Sequence, residues 1–184
     1  MTIFGGSTMQ HRGAVLLVAV SMLGAGVLSG QAEEGTVKAT SAWQGQGQFF
    51  TVKEQQALFV GSFSGVMFVE AKQGALDAAK IVCPGLVEVH RSDGTQNGEG
   101  SCIITACDGV RVYARWHCVG EHLAGCTGAF TLLGGTGRFE RMTGQGEFLI
   151  RSDIAAYVPD LTTESVQAAA TGLAVWPALK YKTP

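Results

Sequence analysis

Cysteine and histidine, the side chains best suited to bind metals, are concentrated between positions 117 and 126. Cys118 and Cys126 flank a segment that also holds His122, and His117 precedes it. Zinc sites commonly use such ligands in pairs spaced C-x₂₋₄-C or H-x₃₋₅-H. Only His117 and His122 have a suitable gap, and in a strand His117 faces away from Cys118. We therefore expect surface histidines, no metal site and no bound cofactor.

The cysteines are better suited to form disulfides. Residues 119–125, between Cys118 and Cys126, have glycine near each end and indicate a loop between two strands. If these strands pair antiparallel, the cysteines meet at the mouth of the loop, within the Cα separation of about 4.4–6.8 Å that a disulfide needs. Cys102 and Cys107 lie on one predicted strand roughly 16 Å apart, which forbids a bond between them. We predict the bond Cys118–Cys126. Whether Cys83 pairs with Cys102 or Cys107 stays open, and the odd count of five leaves at least one thiol over.

Other catalytic and binding motifs are absent or weak. Residues 134–137 (GGTG) are predicted to form a turn rather than a phosphate loop, because 138–142 has strand character and no helix dipole would face the anion. The chain has no G-x-S-x-G nucleophile elbow. Glu70, Glu88 and Glu147 fall in predicted strands and could line a cavity, although a single strand carboxylate is usually solvated on the outer face. No catalytic residue and no ligand-binding residue is assigned.

The clearest structural element is a hairpin. The step Asp108-Gly109 predicts a two-residue turn between strands 101–107 and 110–118. Cys107 would then lie opposite Val110, and Thr105 opposite Val112. Period-2 alternation predicts a core face of Ile103, Thr105, Cys107, Val110, Val112, Ala114, Trp116 and Cys118. The opposite, polar face is predicted to consist of Arg111, Tyr113, Arg115 and His117.

Further strands are predicted over residues 48–52, 56–69, 81–90, 126–133, 138–142, 144–151 and 173–182. Pro84 and Pro177 are expected at edges or bulges, since proline cannot donate to a sheet. Residues 33–41 are expected to be a polar lead-in and residues 91–100 a loop. Residues 160–171 could form a short helix. Seven to nine strands with little helix predict a sandwich or a small closed barrel.

The first 32 residues are predicted to be a signal peptide. A positive flank at His11 and Arg12 precedes an apolar run, and Gly30-Gln31-Ala32 supplies small residues for cleavage. The mature domain would then be residues 33–184, periplasmic or secreted, with no stable membrane span after processing. This part holds 12 Lys and Arg against 15 Asp and Glu, net −3, so a nucleic-acid partner is not expected. Its 20 glycines, spread among β-forming residues, favour strands and tight turns.

The segment from Phe130 to Phe139, followed by residues 142–146, carries a family resemblance. FTLLGGTGRF and MTGQG are similar to the GGTG-x-F…x-G-x-G turn of the allene oxide cyclase and dirigent-type proteins, which include uncharacterised secreted bacterial members. The resemblance implies an antiparallel, calycin-like barrel of about eight strands, with the glycine-rich turn joining two of them. It carries over no catalytic residue.

Three functions are compatible with these features. The chain is expected to be a small barrel that binds a small apolar molecule and is not an enzyme. The alternatives are a cyclase-like or dirigent-like enzyme that guides a reactive intermediate inside the barrel, and a structural envelope protein without a ligand. A smooth apolar cavity would favour binding, a large cavity with converging polar groups catalysis, and a filled core the structural role. The oligomeric state is left open.

Overall fold

The chain forms a closed antiparallel β-barrel. A computed structural model describes residues 33–71, 74, 76–121, 124–153 and 165–184. Its eight strands are β1 Glu34–Lys53, β2 Gln56–Val69, β3 Ala79–His90, β4 Thr95–Thr105, β5 Arg111–Glu121, β6 Gly125–Gly135, β7 Thr143–Ser152 and β8 Ser165–Lys182. Each strand pairs with the next, and β8 pairs with β1 to close the barrel. The predicted all-β barrel of about eight strands with little helix is confirmed. The predicted leader, 1–32, lies outside the described residues.

Closure explains how the fold is stabilised without a second layer. Among the described residues every strand is paired with a neighbour on both sides, so the sheet has no free edge, and eight strands enclose an interior just wide enough for side chains to fill. One end, which we call the terminal end, carries the start of β1, the end of β8 and the β2–β3, β4–β5 and β6–β7 connections. The other, the disulfide end, carries the remaining connections, including that between β5 and β6. Within the described residues, no helix is long and apolar enough to cross a bilayer.

The β5 strand has the predicted alternation, but its partner strand is shifted. Val112, Ala114, Trp116 and Cys118 are buried, while the predicted polar face of Arg111, Tyr113, Arg115 and His117 is exposed. On β4, however, the buried residues are Cys102 and Ile104, not Ile103 and Thr105. Thr105 lies opposite Arg111 and Ile103 opposite Tyr113. The predicted pairing of β4 with β5 is therefore wrong by one residue.

The turn itself causes the shift. The backbone N–H of Ala106 donates to Val110 O at 2.9 Å, and that of Gly109 donates back to Ala106 O at 2.9 Å. The loop therefore consists of Cys107, Asp108 and Gly109, with Gly109 at φ 82°. This is a type I turn followed by a left-handed residue, which adds one residue to the predicted loop. Because side chains alternate with period 2, one extra residue reverses the faces of β4.

Three segments predicted to be irregular or helical are strands. Residues 34–41 extend β1, and residues 95–100 begin β4. In both segments the outward positions carry polar side chains. The composition of the segment alone therefore does not indicate a strand. Residues 165–171 are the start of β8, not a helix, and pair with β1 from Phe50↔Ser165 onward. Pro177 lies at the predicted bulge, where the β1–β8 register shifts between Val37 and Ala39.

The glycine-rich connection between β6 and β7 closes the terminal end. Instead of the strand predicted at 138–142, a 3₁₀ helix spans Gly137–Phe139 and β7 begins at Thr143. Gly134 and Gly137 have φ values of 103° and 55°, which glycine adopts without strain. Phe139 and Met142 are buried beneath this turn. The motif therefore has a structural role: it reverses the chain and places two apolar side chains over the barrel opening.

Candidate functional site

The middle of the barrel is filled by a connected set of aromatic rings. Trp43 from β1 contacts Phe63 from β2 edge to face at 5.4 Å between centroids, and Phe63 contacts Trp116 from β5 at 5.9 Å. Beyond Trp116 the set continues through Phe148 and ends at Trp176, with Phe130 touching both. These rings come from six of the eight strands, so only barrel closure brings them together.

Glycines on the facing strands create the space for these rings. A Cβ on Gly85 would lie 2.5 Å from the Trp116 ring, and one on Gly98 would lie 2.9 Å from it. A Cβ on Gly172 would likewise lie 2.6 Å from the Trp43 ring. The high glycine content of the chain is therefore explained in part by packing, since an inward glycine lets a large ring lie flat against the sheet.

A cavity of about 50 Å³ remains among the rings. Its wall is almost entirely carbon, and all three tryptophans of the chain contribute to it. Ser41, at 1% exposure, is the one buried polar side chain among the described residues, and it also lines this cavity. Its hydroxyl donates to the neighbouring Ala42 O at 3.2 Å. Such a space accepts a few heavy atoms, well below the roughly 300 Å³ of a typical ligand pocket.

The indole N–H groups of the same tryptophans are unsatisfied. Trp43, Trp116 and Trp176 are 8%, 4% and 3% exposed, and no acceptor among the described residues reaches their Nε1 atoms. A buried donor without an acceptor costs about 1–3 kcal/mol. The three residues line one cavity, so the interior holds three unused hydrogen-bond donors next to a space whose own wall is carbon.

A second, smaller space lies toward the disulfide end. It measures about 30 Å³, and its wall includes Gln96 and Ser152, so it is more polar than the first. The two cavities share Trp43, Phe63, Trp116 and Ile150 in their walls. Phe63 is only partly buried, unlike the tryptophans. A change in the Phe63 side chain would therefore join the two spaces into one that opens toward the disulfide end.

Two disulfides brace the strands around these cavities. Cys118 and Cys126, the predicted pair, have Sγ atoms 2.05 Å apart and Cα atoms 5.6 Å apart. They are not directly opposite: Cys118 faces Gly128 and Cys126 faces Gly120, so the bond runs diagonally across β5 and β6. Cys83 is bonded to Cys102, which settles the alternative left open by the sequence. Cys107 is free and exposed in the hairpin loop.

Ionisable groups do not contribute to the described walls of either cavity. Glu88 and Glu147 point outward; Glu88 accepts a hydrogen bond from Gln56 and lies 3.5 Å from His90. His117 is exposed while Cys118 is buried in its disulfide, and His122 lies outside the described residues. In the part of the chain that the structure describes, no three His, Cys, Asp or Glu side chains come together as metal ligands.

The groups with a shifted pKa also lie outside the barrel interior. Hydrogen bonds from Thr95 lower the pKa of Asp93, and one from the Arg138 guanidinium lowers that of Asp108. The pKa of Tyr181 is raised because its hydroxyl donates to Glu33 at 2.9 Å. The described walls of the main cavity therefore offer apolar surface, without a general acid or base.

Most of these interior residues cannot be recognised from the sequence alone. Trp43 and Trp176 were not assigned to a face, and only Trp116 was predicted to be buried. Period-2 alternation through Ala39, Ser41 and Trp43 was the available signal, but small residues at the inward positions weaken it. No protein-family model, curated protein or solved structure matches the chain.

Proposed function

We propose that this protein is a periplasmic or secreted binding protein that takes a small, uncharged, largely apolar molecule into its barrel. The observation that carries the proposal is the cavity bounded by three tryptophans whose N–H groups lack acceptors. The preferred ligand has a compact hydrocarbon body and one hydrogen-bond acceptor, such as a carbonyl or ether oxygen. The two disulfides support an oxidising compartment, where such bonds persist.

The size of the ligand depends on Phe63. As it stands the main cavity holds only a few heavy atoms, whereas a space of roughly 150 Å³ accommodates benzene in an engineered cavity of another protein. Displacement of the partly buried Phe63 ring would join the main cavity to its neighbour and admit a six-membered ring. Trp43 and Trp116, which it touches on either side, would then both face the bound molecule.

A matched pair of probes tests the proposal. We expect cyclohexanone to change the tryptophan fluorescence saturably, and methylcyclohexane, of similar shape but without an acceptor, to bind about tenfold more weakly, in line with one hydrogen bond of about 1.4 kcal/mol. Because every tryptophan of the chain lines the cavity, intrinsic emission reports occupancy directly. Native mass spectrometry of freshly purified protein should also show a co-purifying small molecule.

Variants that keep an aromatic ring, although a smaller one, and remove the donor provide the control. Trp116→Phe and Trp176→Phe should lose the preference for cyclohexanone while retaining the fold, as judged by circular dichroism. Equal binding of both probes by the unaltered protein, or no binding and no co-purifying mass, would contradict the proposal.

The structural alternative has its own supporting observation, the nearly filled interior. The rings around Phe130 and Phe148 leave little open volume, and a barrel packed in this way needs no ligand to be stable. An absence of binding in the experiment above would favour this role. A cyclase-like reaction, suggested by the resemblance at residues 130–146, would use the same cavity and would depend on its shape and on the indole donors.

A further inference from the structure

The outer surface of the barrel has one side without charge. Residues 40–50 of β1, 58–68 of β2 and 82–86 of β3 contain no Asp, Glu, Lys or Arg. The neighbouring strand β8 is also uncharged over residues 165–179, whereas the outward positions of β4, β5 and β7 carry charges, among them Glu99, Arg115, Glu147 and Arg151. We call this side the uncharged face.

Exposed apolar side chains lie toward both ends of the uncharged face, on either side of Ser62 and Ser64. Val60 on β2 is 47% exposed and lies opposite Leu86 of β3. Phe68 on the same strand is 53% exposed, and Val66 lies between the two. Isolated apolar side chains are normal on a protein surface, but Val60 with Leu86 and Val66 with Phe68 form two apolar groups on one uncharged face, which is typical of an interaction site.

The uncharged face is large enough for a specific interface. The outward row of β2 from Leu58 to Phe68 is about 33 Å long at roughly 3.3 Å per residue, and three strands are about 15 Å wide. Two such faces would bury on the order of 1,000 Å², which is the area a biological interface is expected to reach.

The outward row of β3 indicates what the partner is. In order along the strand it consists of Lys80, Val82, Pro84, Leu86 and Glu88. A two-fold axis that lies in the interface and crosses β3 at Pro84 would place Lys80 against Glu88 of the partner subunit. The same axis would place Val82 against Leu86 of the partner subunit. The row is therefore complementary to itself when its direction is reversed, as an isologous interface requires.

We propose that the uncharged face binds a second copy of this chain, forming a two-fold dimer in which the β3 strands of the two barrels run in opposite directions. The uncharged face supplies the buried area, and the Lys80–Glu88 pairs at the two ends determine the direction. Only outward side chains take part in this dimer contact, so it does not depend on what the interior binds.

Sedimentation velocity of the protein expressed from the full sequence tests this proposal across a dilution series. We expect a reversible monomer–dimer equilibrium. Val60→Arg should raise the dimer dissociation constant about tenfold or more, because it buries a charge without a partner. Val119→Arg, on the outer side of β5 at 56% exposure, is the matched control and should leave the equilibrium unchanged.

Exchange of charges tests the direction. Lys80→Glu and Glu88→Lys should each weaken the dimer, and the double variant should restore it, since the opposite charges then meet again. A protein that stays monomeric throughout the series, or forms trimers, would overturn the proposal. So would an unchanged dimer in Val60→Arg, or a double variant no stronger than the singles.

Discussion

Trp116 shows how a large side chain depends on the glycines opposite it, which carry no side chain. Its Nε1 atom lies close to Gly100, where a Cβ would be 2.6 Å away, and the rest of the ring extends over Gly85 and Gly98. The ring can lie against β3 and β4 only because these positions carry no side chain. The buried aromatic and the inward glycines therefore form one packing unit, and a change in either affects the other.

Replacing Gly100 by alanine tests this packing unit. The new Cβ would also approach Pro84 O to 2.4 Å, and because backbone cannot move aside cheaply, Gly100→Ala should destabilise the fold by about 1–3 kcal/mol. Ser101→Ala, at the adjacent exposed position, should change stability by less than about 0.5 kcal/mol. Urea melts of the two variants provide the measurement, and equal midpoints would show that the ring does not depend on Gly100.

Among the elements, the β4–β5 hairpin and the β6–β7 connection hold the terminal end together. Arg138 of the 3₁₀ helix pairs with Asp108 of the hairpin loop and also lies over the Phe139 ring, 4.6 Å from its centroid. Thr136 Oγ1 accepts the backbone N–H of Arg111 at 3.0 Å. These contacts fix the turn that covers the barrel opening to the neighbouring strand.

The Asp108–Arg138 pair should make stability depend on pH. The hydrogen bond from Arg138, followed by that from the Val110 N–H, lowers the pKa of Asp108 below the ordinary value of about 3.9. A depressed folded-state pKa contributes stability that is present above about pH 4 and is lost as pH falls through the folded-state pKa. Asp108→Asn should therefore be less stable than the unaltered protein at pH 7, and the difference should shrink below pH 4.

Thermal melts from pH 7 down to pH 2 would show this behaviour. Both groups are exposed, so the effect should also weaken in high salt. A stability difference that stays constant over the whole pH range would mean that Asp108 acts through its shape or its hydrogen bond to Val110 N rather than through its charge.

For the barrel as a unit, closure and the two disulfides act in different ways. Closure satisfies the backbone, while each disulfide limits the freedom of the unfolded chain. Cys118–Cys126 closes a short segment and should contribute about 2–3 kcal/mol, and Cys83–Cys102, with a longer separation, about 3 kcal/mol. Neither bond is needed to define the topology, since β3–β4 and β5–β6 are already neighbours along the chain.

Removing the Cys118–Cys126 disulfide by alanine substitution tests its expected contribution to the free energy of unfolding. Cys118→Ala/Cys126→Ala should lower the free energy of unfolding by about 2–3 kcal/mol, with the barrel still formed. Cys107→Ser, at the exposed free thiol, is the control and should cost less than about 0.5 kcal/mol. A loss in the control as large as that in the double variant would mean that Cys107 has a role the described contacts do not show.

Some features could be predicted from the sequence because their causes are local. The alternation along β5 depends only on neighbouring residues, so Trp116 and Cys118 were placed on the buried face. The pairing of Cys118 with Cys126 follows from the loop between two consecutive strands. The strand-rich composition, with glycine throughout, predicted an all-β sandwich or barrel for the same reason, and the resemblance at residues 130–146 implied the barrel that is observed.

Other features were decided only by tertiary structure, because they depend on partners distant in the chain. The alanines at 168–170 favour a helix locally, yet pairing with β1 holds this segment in β8. The register of β4 depends on one extra loop residue, whose presence the Asp-Gly step does not reveal. Trp43, Trp116 and Trp176 belong to strands far apart in sequence, and only the closed barrel brings the three rings to the wall of one cavity.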